Sequence, residues 1–190
     1  METKPFGLLS DKTPVQLFIL KNDKLEIAVT DYGTSLVNLF VKDKHGNPVD
    51  IALGYEDVSG YENDNGCYLG CNVGRNANRI GNGRFFLGDR EYFLDKNDGR
   101  NNLHSGLHPY SKRIWTVEKY DDDSVTFSLQ SPHMDQGFPG EVTFHVTYRL
   151  FEDAAFQIQY EAVSDRDTIL NMTNHSYFNL NGEGSGSALQ

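Results

Sequence analysis

Basic residues are in short supply: 17 Lys and Arg stand against 27 Asp and Glu over 190 residues, a formal net charge of −10. That balance offers no basic footprint for phosphates, which argues against nucleic acid and against anionic membrane surfaces as partners. Long apolar runs are missing too, and no stretch approaches the roughly 18 consecutive apolar residues of a membrane span. The start, METKPFGLLSDKTP, has no basic segment leading into an apolar one. No secretory signal is therefore read, and a cytoplasmic address is expected. The N-x-S/T sequons at Asn171 and Asn174 then carry no weight, because glycosylation needs a secretory route. Cysteine is nearly absent: Cys67 and Cys71, in CYLGC, are the two. If that segment is a strand, their α-carbons lie about 13 Å apart, beyond disulfide reach. The spacing is not a metal-binding C-x-x-C either. Both are read as small, reduced core residues.

What the chain does contain is β-pattern. With 38% hydrophobic and 12% aromatic residues, 190 positions suffice for one domain with a real core. Alternating and β-branched runs predict strands over 15–22, 24–33, 34–43 and 48–55. Lys21-Asn22-Asp23 and His45-Gly46-Asn47-Pro48 turn between them. Residues 83–94, GRFFLGDREYFL, read as a hairpin around Gly88-Asp89. Further strands are expected over 124–130, 140–150, 155–164 and 168–180. Long helical stripes are scarce, so the fold class is all-β, a large antiparallel β-sandwich.

Two loops, 61–85 and 94–115, are dense in Asn, Gly, Arg and His, which ordinary turn chemistry explains for most positions. The last stretch, NGEGSGSALQ (181–190), is Ser/Gly-rich and directly follows the strand with the most suggestive polar cluster. Such an end is read as a frayed tail or as the end of a fragment.

Three stretches, in order, are NVGRNANRIGNGRF (72–85), NNLHSG (101–106) and NHSYFNLNG (174–182). Together they resemble the galactose mutarotase, or aldose 1-epimerase, family, with its G-R-x-A-N-R-I segment, L-H-G-G loop and N-H-x-Y-F-N-L strand. Trp115 in SKRIW fits the same pattern. The sequence departs from it at Ser105, where a second glycine is common, and at His108-Pro109-Tyr110, where a Gly-Phe pair is common. The resemblance covers the first half, or a little more, of a typical member. It implies that residues 1–190 form a single β-sandwich domain of mutarotase type, completed by residues or a chain not given.

The implied reaction interconverts the α and β anomers of a free hexose, galactose or glucose. A base takes the C1 hydroxyl proton, an acid protonates the ring oxygen, and no cofactor or metal is needed. A histidine suits the acid role because its pKa near 6.5 keeps its proton exchangeable. By resemblance His175 is that general acid, His104 positions the substrate or acts electrostatically, and Asn78 and Arg79 bind the sugar. Ser176 and Tyr177 are neighbours at the site. On a strand, alternation groups His175, Tyr177 and Asn179 on one face. The base, a glutamate in the family, is expected beyond Gln190. Glu141, Glu152, Glu161 and Glu183 have no motif behind them, and His45, His108, His133 and His145 match none. Arg79 has a plainer reading as an exposed ion pair, and His104 as a turn cap. The partner is thus a small sugar, with a complementary chain as a further candidate. Two alternatives stay open: a non-catalytic sugar-binding or regulatory protein of the same fold, and a hexose-6-phosphate 1-epimerase relative. The latter would need cations near C6, with Arg75 and Arg84 as candidates.

Overall fold

The computed structural model describes residues 1–64 and 66–186. A five-stranded antiparallel sheet comprises β1 (Glu2–Leu8), β2 (Pro14–Lys21), β3 (Leu25–Thr30), β4 (Leu36–Lys42) and β5 (Pro48–Asp50), in that order. A short helix, α1 (Val58–Glu62), follows. Paired two-residue strands then fold the middle of the chain: β6 (Asn72–Val73), β7 (Arg79–Ile80) and β10 (Asn102–Leu103). The hairpin β8 (Arg84–Leu87) and β9 (Arg90–Phe93) lies between them. A four-stranded sheet follows with β11 (Thr116–Tyr120), β12 (Ser124–Ser131), β13 (Val142–Leu150) and β14 (Phe156–Ser164), and β15 (Thr173–Asn174) comes last.

The two large sheets pack face to face because each presents an apolar row at period two. Phe18, Leu20, Ile27 and Val29 of the first sheet meet Val125, Phe127, Phe144 and Val146 of the second in one core. The rings of Phe18 and Phe127 lie edge-on, 5.4 Å apart. Buried aliphatic and aromatic side chains of this kind each contribute roughly 1.5–3 kcal/mol. The middle strands of the first sheet are covered, at least in part, on both faces. Val15 of β2, Ala28 of β3 and Val37 of β4 turn the other way, against Phe6, Val58 and Tyr61. That explains why β2, PVQLFILK, reads as a nearly continuous apolar run rather than a clean alternation. Trp115, fully buried, closes one side of the core and donates from its indole N–H to the Tyr110 carbonyl.

The sequence expectations hold for the large strands and for the hairpin, whose register pairs Leu87 with Arg90 across Gly88-Asp89. They miss β1 and β11, and also the two-residue strands β6, β7 and β10, which fall in stretches read as loops. β1 contains Pro5 and Gly7 and is bulged between them, so it lacks the even alternation that marks a strand. Three expectations are corrected. The strand expected over 48–55 shortens to Pro48–Asp50, with an isolated bridge at Ala52. Residues 67–71 are a turn, not a strand, held by Asp64, whose carboxylate accepts from the backbone N–H groups of Gly66, Cys67 and Tyr68. Cys67 is consequently exposed, and only Cys71 is a core residue. The strand expected over 168–180 shrinks to Thr173–Asn174 on β6, with isolated bridges at Asn171 and Phe178. Asn179 is therefore buried rather than sharing a face with His175 and Tyr177. Of the tail 181–190, residues 187–190 lie outside the described residues.

Candidate functional site

Two small ladders bring the three motif stretches together. β6 pairs with β15, setting Asn72 against Asn174, and β7 pairs with β10, setting Arg79 against Leu103. Asn171 links them, pairing beside Asn76 and accepting a hydrogen bond on its carbonyl from Ala77 N–H. The resulting open cleft, about 310 Å³, is lined by Ala77, Asn78, His104, Thr173, Asn174, His175, Ser176 and Tyr177.

His104 sits in the left-handed region (φ 52°), as does the next residue, Ser105 (φ 74°). Left-handed backbone is costly for residues other than Gly and Asn, so something must hold this turn. Ser105 does so: its fully buried hydroxyl accepts from Asn76 N–H (2.7 Å) and donates to Asn76 O (3.1 Å). The departure from a glycine pair thus trades backbone ease for two tethers. The imidazole of His104 is oriented from one side, with Nδ1 accepting from the backbone N–H of Asn78 at 3.0 Å. That bond places the ring proton on Nε2. Burial, then the nearby His175 and Arg79, push its pKa down to about 4. His104 is thus a neutral Nε2–H donor at cellular pH.

His175 follows β15 and is placed by its backbone, whose N–H donates to Cys71 O (2.8 Å) and whose carbonyl accepts from Gly70 N–H (3.3 Å). Its ring lies 5.5 Å from that of His104, nearly perpendicular, and 5.2 Å from that of Tyr177. Among the described residues neither ring nitrogen of His175 hydrogen-bonds to the protein. The preceding residue, Asn174, is the anchor. Its amide donates to Gly70 O (2.7 Å), and its side-chain oxygen accepts from Ser176 hydroxyl (2.6 Å) and backbone N–H (3.1 Å). Asn174 also reaches the buried cluster of Asn72, Tyr148 and Thr34, which Tyr160 joins by donating to Asn72. Tyr148 and Tyr160 belong to β13 and β14, so the four-stranded sheet supports the cleft directly. Asn72 opens a motif stretch, but Thr34, Tyr148 and Tyr160 did not stand out in the sequence. A tyrosine on an apolar strand face looks like core until its hydroxyl finds a partner.

Arg79 is half-exposed and ion-paired through Nε to Asp98 (2.6 Å), with Nη1 near Asn78 Oδ1 (3.4 Å). It stands next to the cleft without lining it. Arg75 and Arg84 do not reach the cleft. Arg75 is fully buried and donates to Pro139 O (2.6 Å), Gly140 O (3.1 Å), Ser131 Oγ (2.5 Å) and Tyr110 hydroxyl (3.2 Å), tying loops to the core. Arg84 pairs with Glu91 across the hairpin. His133 Nδ1 accepts from Gly140 N–H, a structural use. Among the described residues no carboxylate hydrogen-bonds to His104 or His175, no group of three metal-ligating side chains converges, and no helix is long and apolar enough to cross a membrane.

Fold and cleft together define an antiparallel β-sandwich of the mutarotase-like type, with paired histidines in an asparagine-rich groove. Residues 16–190 match the model of the aldose 1-epimerase family, and the chain belongs to that family. Galactose mutarotase from Mus musculus is 40% identical over 171 residues, 90% of this chain and 49% of that protein. Aldose 1-epimerase from Escherichia coli K12 is 36% identical over 180 residues, covering 94% and 52%. Among solved structures, an aldose epimerase homologue from C. elegans superposes with a TM-score of 0.83 at 31% identity, over 87% of this chain and 51% of that one. Galactose 1-epimerase from Lactobacillus acidophilus gives 0.81 at 27% identity, over 94% and 53%. The chain spans about half the length of the curated relatives it matches.

Proposed function

We propose that the cleft binds a free hexose and exchanges its anomers, with His175 as the acid that protonates the ring oxygen. The observation that carries this is the division of labour between the two histidines. His104, held neutral by burial and by its neighbours, serves as a fixed hydrogen-bond donor through Nε2. His175 keeps both ring nitrogens available at the cleft, which suits a group that must gain and lose a proton each cycle. Asn78 and Ser176 supply hydroxyl-binding groups along the wall, and Tyr177 an apolar face beside His175. Arg79, its Nε engaged by Asp98 and its Nη1 by Asn78, keeps Nη2 for a sugar oxygen at the margin of the cleft.

Ring opening also needs a base at the C1 hydroxyl, and this reading takes it from a glutamate outside residues 1–190. The same residues then complete one sandwich domain. Support comes from β14, an edge strand whose Phe156, Ile158 and Tyr160 are only partly covered, and from exposed Val163, Leu170, Phe178 and Leu180. The two free thiols agree with a cytoplasmic setting. Galactose and glucose are the substrates of choice. The test is polarimetry of α-galactose, first with the 190-residue chain and then with a longer form that supplies the missing carboxylate. The longer form should accelerate mutarotation well above the buffer rate. His175→Asn should abolish that acceleration with an unchanged circular dichroism spectrum, and a fully active Asn variant would remove His175 from the acid role.

The second reading is a sugar-binding or regulatory protein without catalysis. It is favoured by the lack, among the described residues, of a carboxylate touching either histidine. Binding without turnover in every form of the protein would select it.

A further inference from the structure

Tyr68 is held in a way that ordinary turn chemistry does not explain. A bulky residue with φ of 57° is an outlier, and such strain persists only where the surroundings over-determine it. Here they do. Asp64 accepts hydrogen bonds from Gly66, Cys67 and Tyr68 N–H at 3.1, 2.8 and 2.7 Å, fixing the entry to the turn. Gly70 fixes the exit. Its φ is 65°, and a Cβ there would lie 1.9 Å from Leu36 O, so only glycine fits. The same Gly70 donates to His175 O and accepts from the Asn174 amide, so the turn and the histidine segment are one hydrogen-bonded unit.

The ring presented by this turn reaches both histidines. Its centroid is 4.7 Å from His104, edge-on at 65°, and 5.6 Å from His175 at 36°. With the 5.5 Å between the histidines, the three rings form a closed triangle. Tyr68 does not line the cleft; it faces a small hollow with Asp64, Cys71, Ser111 and Lys112. Any influence on a bound sugar must therefore pass through the histidines.

We infer that Tyr68 is a positioning residue of the epimerase site, its ring fixing the distance and angle between His104 and His175. This rests on the reading proposed above. The ring does the positioning, not the hydroxyl, which has no hydrogen-bond partner among the described residues. The groups around His104 that bear on its ionisation are His175 and Arg79, with Tyr68 contributing the apolar cover.

The test compares Tyr68→Phe, which keeps the ring, with Tyr68→Asn, which removes it while tolerating left-handed backbone. Histidine side-chain NMR titration on the 190-residue chain is the first measurement. In Tyr68→Asn the His104 pKa should rise from about 4 by about one unit or more as water replaces the ring, whereas Tyr68→Phe should titrate like wild type. Polarimetry on the form that turns sugar over is the second. There Tyr68→Asn should lose at least about ten-fold in kcat with KM nearly unchanged, and Tyr68→Phe should keep wild-type kcat. An unshifted His104 in Tyr68→Asn, or equal kcat in the two variants, overturns the inference. Nuclear Overhauser contacts from the Tyr68 ring to both imidazoles in the wild-type chain are a check independent of any variant, and their absence also overturns it. A wild-type protein without sugar turnover would defeat the epimerase reading, while the NMR titration would still decide whether Tyr68 holds the histidines.

Discussion

Acidification should destabilise the chain through His104 in a way one substitution can isolate. His104 has a pKa of about 4 when folded, against about 6.5 when unfolded. Above pH 6.5 both states are neutral at this residue and it adds no pH dependence. As pH falls below 6.5 the unfolded state takes up a proton that the folded state refuses, so stability drops, and the loss is complete below about pH 4. Between pH 7 and pH 5 that amounts to about 2 kcal/mol, a large share of a typical folding free energy. His104→Asn is the control, because asparagine does not titrate, tolerates the 52° φ and can offer an oxygen to Asn78 N–H. Urea unfolding of both proteins at pH 7, 6 and 5 should show the wild type losing about 2 kcal/mol more than the variant over that range. Carboxylates titrate in both proteins and cancel in the difference. Parallel curves would refute the claim that His104 is kept neutral by its surroundings.

Arg75→Met should cost about 3–5 kcal/mol in urea unfolding, because the carbonyls of Pro139 and Gly140 lose a buried charged donor; a cost under about 1 kcal/mol would mean the loops do not depend on it. Ser105→Ala should be more destabilised than Ser105→Gly by about 1 kcal/mol, since both lose the tethers to Asn76 but only glycine relieves the 74° φ. The reverse order in thermal melts would show that strain is not stored there. With a thiol reagent at pH 8, Cys67 should react fast and Cys71 slowly, because burial pushes the Cys71 thiol up to about 12. Two equally fast thiols would contradict the placement of Cys71 in the core.

Much of the sandwich was legible in the sequence because its large strands carry period-two patterns. β13 is the clearest, with Val142, Phe144, Val146, Tyr148 and Leu150 all facing inward. The motif residues were also readable, and the structure gathers Asn78, His104, Ser176 and Tyr177 with His175 around one cleft. What stayed hidden was set by tertiary pairing. The strand expected over 168–180 was too long because its β-prone run pairs as a ladder only at Thr173–Asn174, where Asn72–Val73 meets it, and local pattern does not show where pairing stops. The buried Arg75 looked like any other loop arginine, since nothing local announces that oxygens of Tyr110, Ser131, Pro132, Pro139, Gly140 and Thr168 will converge on it. Cys67 was misplaced because CYLGC resembles a strand, and only the three N–H bonds to Asp64 reveal a turn.

The central claim is that sugar sits between His104 and His175, and histidine side-chain NMR during a galactose titration addresses it most directly. Six histidines give six pairs of imidazole resonances. Saturable shifts should appear at His104 Nε2 and His175 and leave His45, His108, His133 and His145 in place. Shifts confined to those four, or none at millimolar galactose, would contradict the assignment of this cleft as the sugar site.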